Sequence, residues 1–171
     1  YYYVGQFMAT YLTRLSFVKV SHGYNLMLMM TGALCFSLSF SLVYNLVMKY
    51  GLVYNKKSQM AAVLAGFLGA LAVCVAGNMH YPIYRFIIPA IKKLIGREDA
   101  GYYYWFPNAT RYIGYNPETN DKTIHEFPSY SFVLGDLHAH VINIMFVLTV
   151  LALLLSWLFG RTKHNSDKKI A

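Results

Sequence analysis

Three stretches of the chain carry no Lys, Arg, Asp or Glu: Ser21 to Met48, Ser58 to Pro82 and Val141 to Gly160. A helix rises about 1.5 Å per residue, so roughly 20 apolar residues cross a hydrocarbon core about 30 Å thick. A charge at mid-bilayer costs on the order of 3 kcal/mol, and three clean windows therefore predict membrane-spanning helices over 21–48, 58–80 and 141–160. The second window holds Ala65, Gly66, Gly69, Ala70 and Ala72, small residues spaced for close helix contact. The opening segment, 1–20, is patterned differently. Val4, Met8, Tyr11, Leu12 and Leu15 recur at helical spacing, with Gln6, Thr10 and Thr13 on other faces. Arg14 and Lys19 interrupt it, which predicts an interfacial or partly inserted helix on the outer side.

These elements make an all-α, polytopic transmembrane bundle, read as a single membrane domain over 1–171. A long loop over 81–140 joins the second and third spans, and a tail over 161–171 follows the third. Composition agrees. Hydrophobic residues are 57% of the chain and charged residues 13%, against about 25% charged in an ordinary globular protein. A soluble domain of 171 residues would lack the charge to cover its surface. Cys35 and Cys74 both lie in apolar runs and read as small core residues, not as a disulfide or metal pair. No initiator methionine or signal peptide opens the chain, and its abrupt ends lead us to expect an excerpt of a longer polypeptide.

Charge sets an expected orientation. Lys49, Lys56 and Lys57 lie between the first two spans; Arg161, Lys163, Lys168 and Lys169 follow the third, with Asp167 the one acid among them. Basic flanks predict the cytoplasmic side. The 81–140 loop balances Arg85, Lys92, Lys93, Arg97, Arg111 and Lys122 against Glu98, Asp99, Glu118, Asp121, Glu126 and Asp136, so it is expected to be extracytoplasmic. The net charge of +8 is then a topology signal. Lysines and arginines form no stripe, and no nucleic-acid partner is expected.

Polar chemistry gathers in that loop and at its edges, in His80, His125, His138 and His140 together with six of the seven acids. The piece from Tyr84 to Ile95 is amphipathic, suited to lie along headgroups. The run Tyr102-Tyr103-Tyr104-Trp105-Phe106 serves either as an interfacial belt or as a surface on which sugar stacks. The richest segment is Thr123 to His140, TIHEFPSYSFVLGDLHAH. If Asp136 caps the third span, Asp136, His140 and Asn143 share a helical face. If 135–140 is extended, Asp136, His138 and His140 share a side. Either geometry puts a carboxylate and imidazole at the mouth of a membrane helix, able to hold a divalent metal or act as acid and base. The plain alternative is histidines that merely hydrogen-bond at a helix entrance. Arg111 suits bidentate phosphate recognition, or a salt bridge to Glu118 or Asp121. Asn108-Ala109-Thr110 spells a glycosylation sequon, a pattern frequent by chance.

Several ordered motifs carry a resemblance. Tyr1-Tyr2-Tyr3-Val4-Gly5-Gln6-Phe7, the Tyr104-Trp105 pair before Arg111, and Thr123-Ile124-His125-Glu126-Phe127-Pro128 leading to Leu134-Gly135-Asp136-Leu137-His138-Ala139-His140 resemble the "YYY" family of large polytopic membrane proteins. That family is grouped by fold resemblance with the GT-C membrane glycosyltransferases. The chain departs from the pattern at His125, where Asn is usual, and at Ala139, where Pro is common. The catalytic carboxylate usual in the first large outer loop of GT-C enzymes would lie before Tyr1.

The resemblance implies an enzyme of the cytoplasmic membrane of a prokaryote, moving a sugar from a polyprenyl-phosphate-linked donor at the extracytoplasmic face. In such a reaction a cation neutralises the leaving phosphate and a carboxylate takes the acceptor proton. The residues implied are Asp136 and Glu126 for catalysis, and Asp136, His138 and His140 for a divalent metal. Arg111, Tyr104, Trp105 and Asn143 are implied for substrate. The other class open to this sequence is a membrane transporter or a non-catalytic scaffold subunit of an envelope assembly. Transporters place ionisable groups near mid-membrane, and here the spans contain none.

Overall fold

The computed structural model describes residues 3–55, 58–97, 106–111, 113–115 and 117–168, with 162–168 described as backbone alone. Among the described residues it is helical, with no strand beyond an isolated bridge between Tyr115 and Glu118. Internal contacts divide the chain into two units, 1–76 with 131–171, and 77–130.

The first unit contains α1 (Val4–Leu15), α2 (Val20–Val53), α3 (Gln59–Cys74) and α7 (Ala139–Lys168). α2 and α7 are long and apolar enough to cross a membrane, whereas α3, also apolar, has 16 residues. Most of the apolar surface of α2 and α7 is exposed within the chain, as lipid-facing helices require. α3 ends at Cys74, short of the expected 80. α2 runs past the expected 48 to Val53 and closes with Asn55 left-handed (φ 52°), a conformation Asn tolerates after a helix end. Ser58 caps α3, its side chain accepting from the Ala61 amide at 3.2 Å.

Small residues set how closely these helices approach. On α2 the buried positions are Gly23, Met27, Thr31, Cys35, Ser39 and Gly51, nearly all four apart; on α3 they are Ala62, Gly66, Ala70 and Cys74. Residues four apart stack on one helix face, so each helix offers a narrow stripe of small side chains. A Cβ on Gly69 would sit 2.7 Å from Val43 Cγ2, and one on Gly66 would sit 3.0 Å from the Phe40 carbonyl oxygen. Contact this close replaces the hydrophobic drive that lipid removes. Cys35 and Cys74 are free and buried there.

α1 packs against both α2 and α7. Its Thr13 side chain fills the space where Gly23 lacks a Cβ, and Ile142 of α7 fills the same space at Gly5. α2 and α7 run in the same direction. Tyr24 reaches Leu137 just before α7 begins, and Lys49 lies over the Phe159 ring near its far end. Arg161 sits over Trp157 at that same end. Lys49 and Arg161 are thus at one end of the pair, and the Asp136–His140 segment is at the other with Lys19, the residue that precedes α2.

The second unit holds the short helix α4 (His80–Pro82), a π-helical turn over Ile83–Ile87, α5 (Ile88–Leu94) and a 3-10 turn over Phe106–Thr110. α6 (Pro128–Leu134) begins here and finishes in the first unit. The unit's middle is tied by backbone bonds, His125 to Thr110 at 2.9 Å and Thr123 to Ile113 at 3.3 Å, and by the Asn78 amide donating to the Ala109 carbonyl. Phe106 stacks on Tyr130, and Phe127 meets Tyr130 edge-on.

Candidate functional site

The site begins with the way α6 stops. Gly135 adopts φ +68°, open to glycine at little cost. Its amide bonds the Phe132 carbonyl and the Asp136 amide bonds the Ser131 carbonyl at 2.9 Å. This paired closure is the Schellman arrangement, and it delivers Asp136 out of the helix. Residues 136–138 are then irregular, and the His138 carbonyl accepts from the amides of Val141 and Ile142 at 3.1 and 3.2 Å to open α7.

Of the two local geometries open to the sequence, the non-helical one holds for 136–138. Asp136 caps no helix; its Oδ2 lies 2.7 Å from His138 Nε2, a short charge-assisted contact. Both are part-exposed, at 48% and 37% of their side chains, so the pair is reachable from outside the protein core. His140, on the first turn of α7, stands edge-on to His138 with ring centroids 5.5 Å apart. Its Nε2 is 3.5 Å from the buried Ser131 hydroxyl.

A cavity of about 810 Å³ lies beside these residues, between the starts of α1 and α7. Gln6, His138, His140 and Asn143 supply its polar wall; Val4, Ile142 and Phe146 supply the apolar one. The volume is in the range of small-molecule sites. Asp136 does not line it; Asp136 stands behind His138.

Two residues unmarked by the sequence hold the segment in place. Tyr24 Oη accepts the Leu137 amide at 2.8 Å and lies 3.4 Å from Asp136 Oδ1. Gln6 Nε2 donates to the Leu137 carbonyl at 3.0 Å. Leu137 itself is buried in the core with Ala9, Met27, Ile142 and Met145. The signal available beforehand was slight: a Gln and a Tyr placed among apolar helix positions.

The remaining expected residues fall elsewhere. Glu126 and Arg111 belong to the second unit, both half-buried. Tyr104 and Trp105 lie outside the described residues. Of the acids weighed as partners for Arg111, Glu118 pairs with Lys122 at 2.8 Å. In the sequon, Thr110 is fully buried and donates to the Pro107 carbonyl, so it is not presented as an acceptor motif.

Long apolar helices, exposed apolar faces and close contacts through small residues define an α-helical membrane protein, with an acidic and imidazole cluster at one end of its long helices. A family model described as uncharacterized membrane protein (DUF2298) matches residues 1–171, and the chain belongs to that family. Comparison with curated proteins and with solved structures gave no match.

Proposed function

We propose that this chain is the part of a GT-C-like glycosyltransferase that receives a polyprenyl-phosphate-linked sugar at the extracytoplasmic membrane face. The observation that carries the reading is the 2.7 Å Asp136–His138 pair at the edge of a cavity with one polar and one apolar wall. A lipid-linked donor has the same division: a charged phosphate next to a hydrocarbon chain.

In this reading Asp136 accepts the Nε2 proton of His138, which leaves Nδ1 with its lone pair. Such a carboxylate–imidazole pair removes a proton from an acceptor hydroxyl and holds the charge that results. His140 and Asn143 then contact the donor's phosphate and sugar. The donor set also fits a divalent metal, because neighbouring imidazoles suit the borderline transition ions. His138 and His140 would hold it, His138 through the same Nδ1 and so in place of its role as base, with Asp136 orienting His138 from behind. Bound there, a metal would neutralise charge on the leaving phosphate.

The proposed topology has three spans, with α3 as the short second one. Lys49 and Arg161 mark the cytoplasmic end, which leaves Asp136 and His138 at the outer lip and the 81–140 segment extracytoplasmic. Glu126, Arg111, Tyr104 and Trp105 are proposed as contributors from that segment to acceptor or phosphate binding.

The test is sugar transfer by the full-length protein in lipid nanodiscs, supplied with polyprenyl-phosphate-linked sugars. His138→Gln should lower turnover at least about 100-fold, the scale of a lost general base. Turnover equal to wild type overturns the proposal, and so does tight donor binding with no transfer, which would favour a transporter.

A further inference from the structure

Leu137 is the one residue between Asp136 and His138, and both polar groups of its backbone are held by side chains from other helices. The amide donates to Tyr24 Oη of α2 at 2.8 Å, and the carbonyl accepts from Gln6 Nε2 of α1 at 3.0 Å. Its side chain, 2% exposed, is anchored in the core. The partners lie 113 and 131 residues away along the chain. Nothing local requires this. Leu137 lies outside both α6 and α7, so its peptide groups take no helical partner, and non-helical backbone in a membrane protein must find partners elsewhere. Water or any nearby backbone would have served that purpose. Instead the holding groups meet the one residue whose φ and ψ set the angle between Asp136 and His138.

Tyr24 does more than close a backbone bond, because its hydroxyl also lies 3.4 Å from Asp136 Oδ1. One phenol therefore touches the carboxylate and the peptide that joins it to the histidine. Gln6 sits on the wall of the 810 Å³ cavity as well as on Leu137, so the carbonyl clamp and the cavity surface share a side chain.

We infer that Tyr24 and Gln6 are positioning residues for the Asp136–His138 pair, fixing through Leu137 the angle at which the carboxylate meets the imidazole. The inference rests on the proposed role of that pair, and the test is built to separate the two. Full-length protein in nanodiscs is treated with diethyl pyrocarbonate, which acylates a neutral imidazole nitrogen. Rates at His138, His140 and the exposed His125 are read by mass spectrometry, and exchange of the Leu137 amide is read by hydrogen–deuterium labelling.

In wild type, His138 should react faster than His125, because Asp136 raises its nucleophilicity. Tyr24→Phe should speed exchange at Leu137 and slow His138 acylation about fivefold, on the scale of one lost hydrogen bond. His140 and His125 should keep their rates. Gln6→Met, which keeps length but cannot donate, should act in the same direction. General loosening would instead raise the rates at His138 and His140 together, and that result overturns the inference. So does an unchanged His138 rate in both variants with His138 still fast in wild type, which leaves the role of the pair standing. A wild-type His138 no faster than His125 removes the working pair and this inference with it.

Discussion

Gly5 of α1 lies so close to Ile142 of α7 that a Cβ at position 5 would fall 3.0 Å from Ile142 Cγ2, 3.2 Å from Ile142 Cβ and closer still to Cδ1. Ile142 is itself 1% exposed, so it has little room to withdraw. Gly5→Val should therefore push α1 off α7, costing about 1–3 kcal/mol as overpacking does. The check is thermal unfolding in detergent micelles, where Gly5→Val should melt earlier than wild type. An exposed control, Phe7→Val, should not.

The second unit has its own close approach at Gly114. Its φ is +77°, and a Cβ there would stand 2.7 Å from the Asp121 carbonyl carbon and 2.9 Å from Lys122 Cα. Both obstacles are backbone and cannot rotate away. Gly114→Ala should cost at least about 1–2 kcal/mol from the left-handed backbone alone, and more from the clash. Limited proteolysis should then cut within 113–123 faster than in wild type.

Acid should loosen the start of the second unit through His80. Burial pushes its imidazole below the ordinary value of 6.5, and its ring stacks on Tyr84 at 4.3 Å. As pH falls through the unfolded value, the unfolded chain takes up this proton before the folded one does. Stability is then full above about 6.5 and declines below it, until the folded imidazole also titrates. Protection factors across 80–94, exchange rates taken relative to the intrinsic rate at each pH, should fall from pH 7.5 to 5.5, and His80→Gln should flatten that dependence.

Metal dependence follows from the proposed donor set. Chelation should abolish transfer, and manganese or zinc should restore it in wild type. His138→Ala with His140→Ala together should lower bound metal at least about tenfold, the lower range for lost ligand-sphere groups, as read by elemental analysis. Equal metal content in the double variant would show that any ion binds elsewhere.

The apolar elements were legible because mid-bilayer charge is costly. The charge-free windows around 21–48 and 141–160 became α2 and α7, with ends displaced where a helix continues past the hydrocarbon layer. At 34 residues, α2 is about 51 Å long by its rise, so Lys49 needs no place in lipid. The window at 58–80 shows where local pattern stops informing. Val75 to Asn78 are as free of charge as the residues before them, yet α3 ends at Cys74. Asn78 instead bonds Ala109, and Phe127 occupies the space at Gly77. Contacts that distant leave no periodic trace.

The candidate site was legible in part for the same reason. Asp136, His138, His140 and Asn143 stood out as polar residues at the mouth of an apolar run. Their order of action did not, since only the structure puts Asp136 behind His138 and off the cavity wall. Tyr24 and Gln6 carried no sequence signal strong enough to connect them to Leu137.

A peptide N–H can give a hydrogen and never take one. Because Leu137 gives its hydrogen to Tyr24, the phenol's own proton has one useful direction left, toward Asp136. Both carboxylate oxygens then face donors, and the imidazole must present Nε2–H rather than a lone pair. Donors from the main chain and from the ring converge on one carboxylate, so the polypeptide itself favours the Nε2–H tautomer before any ligand arrives.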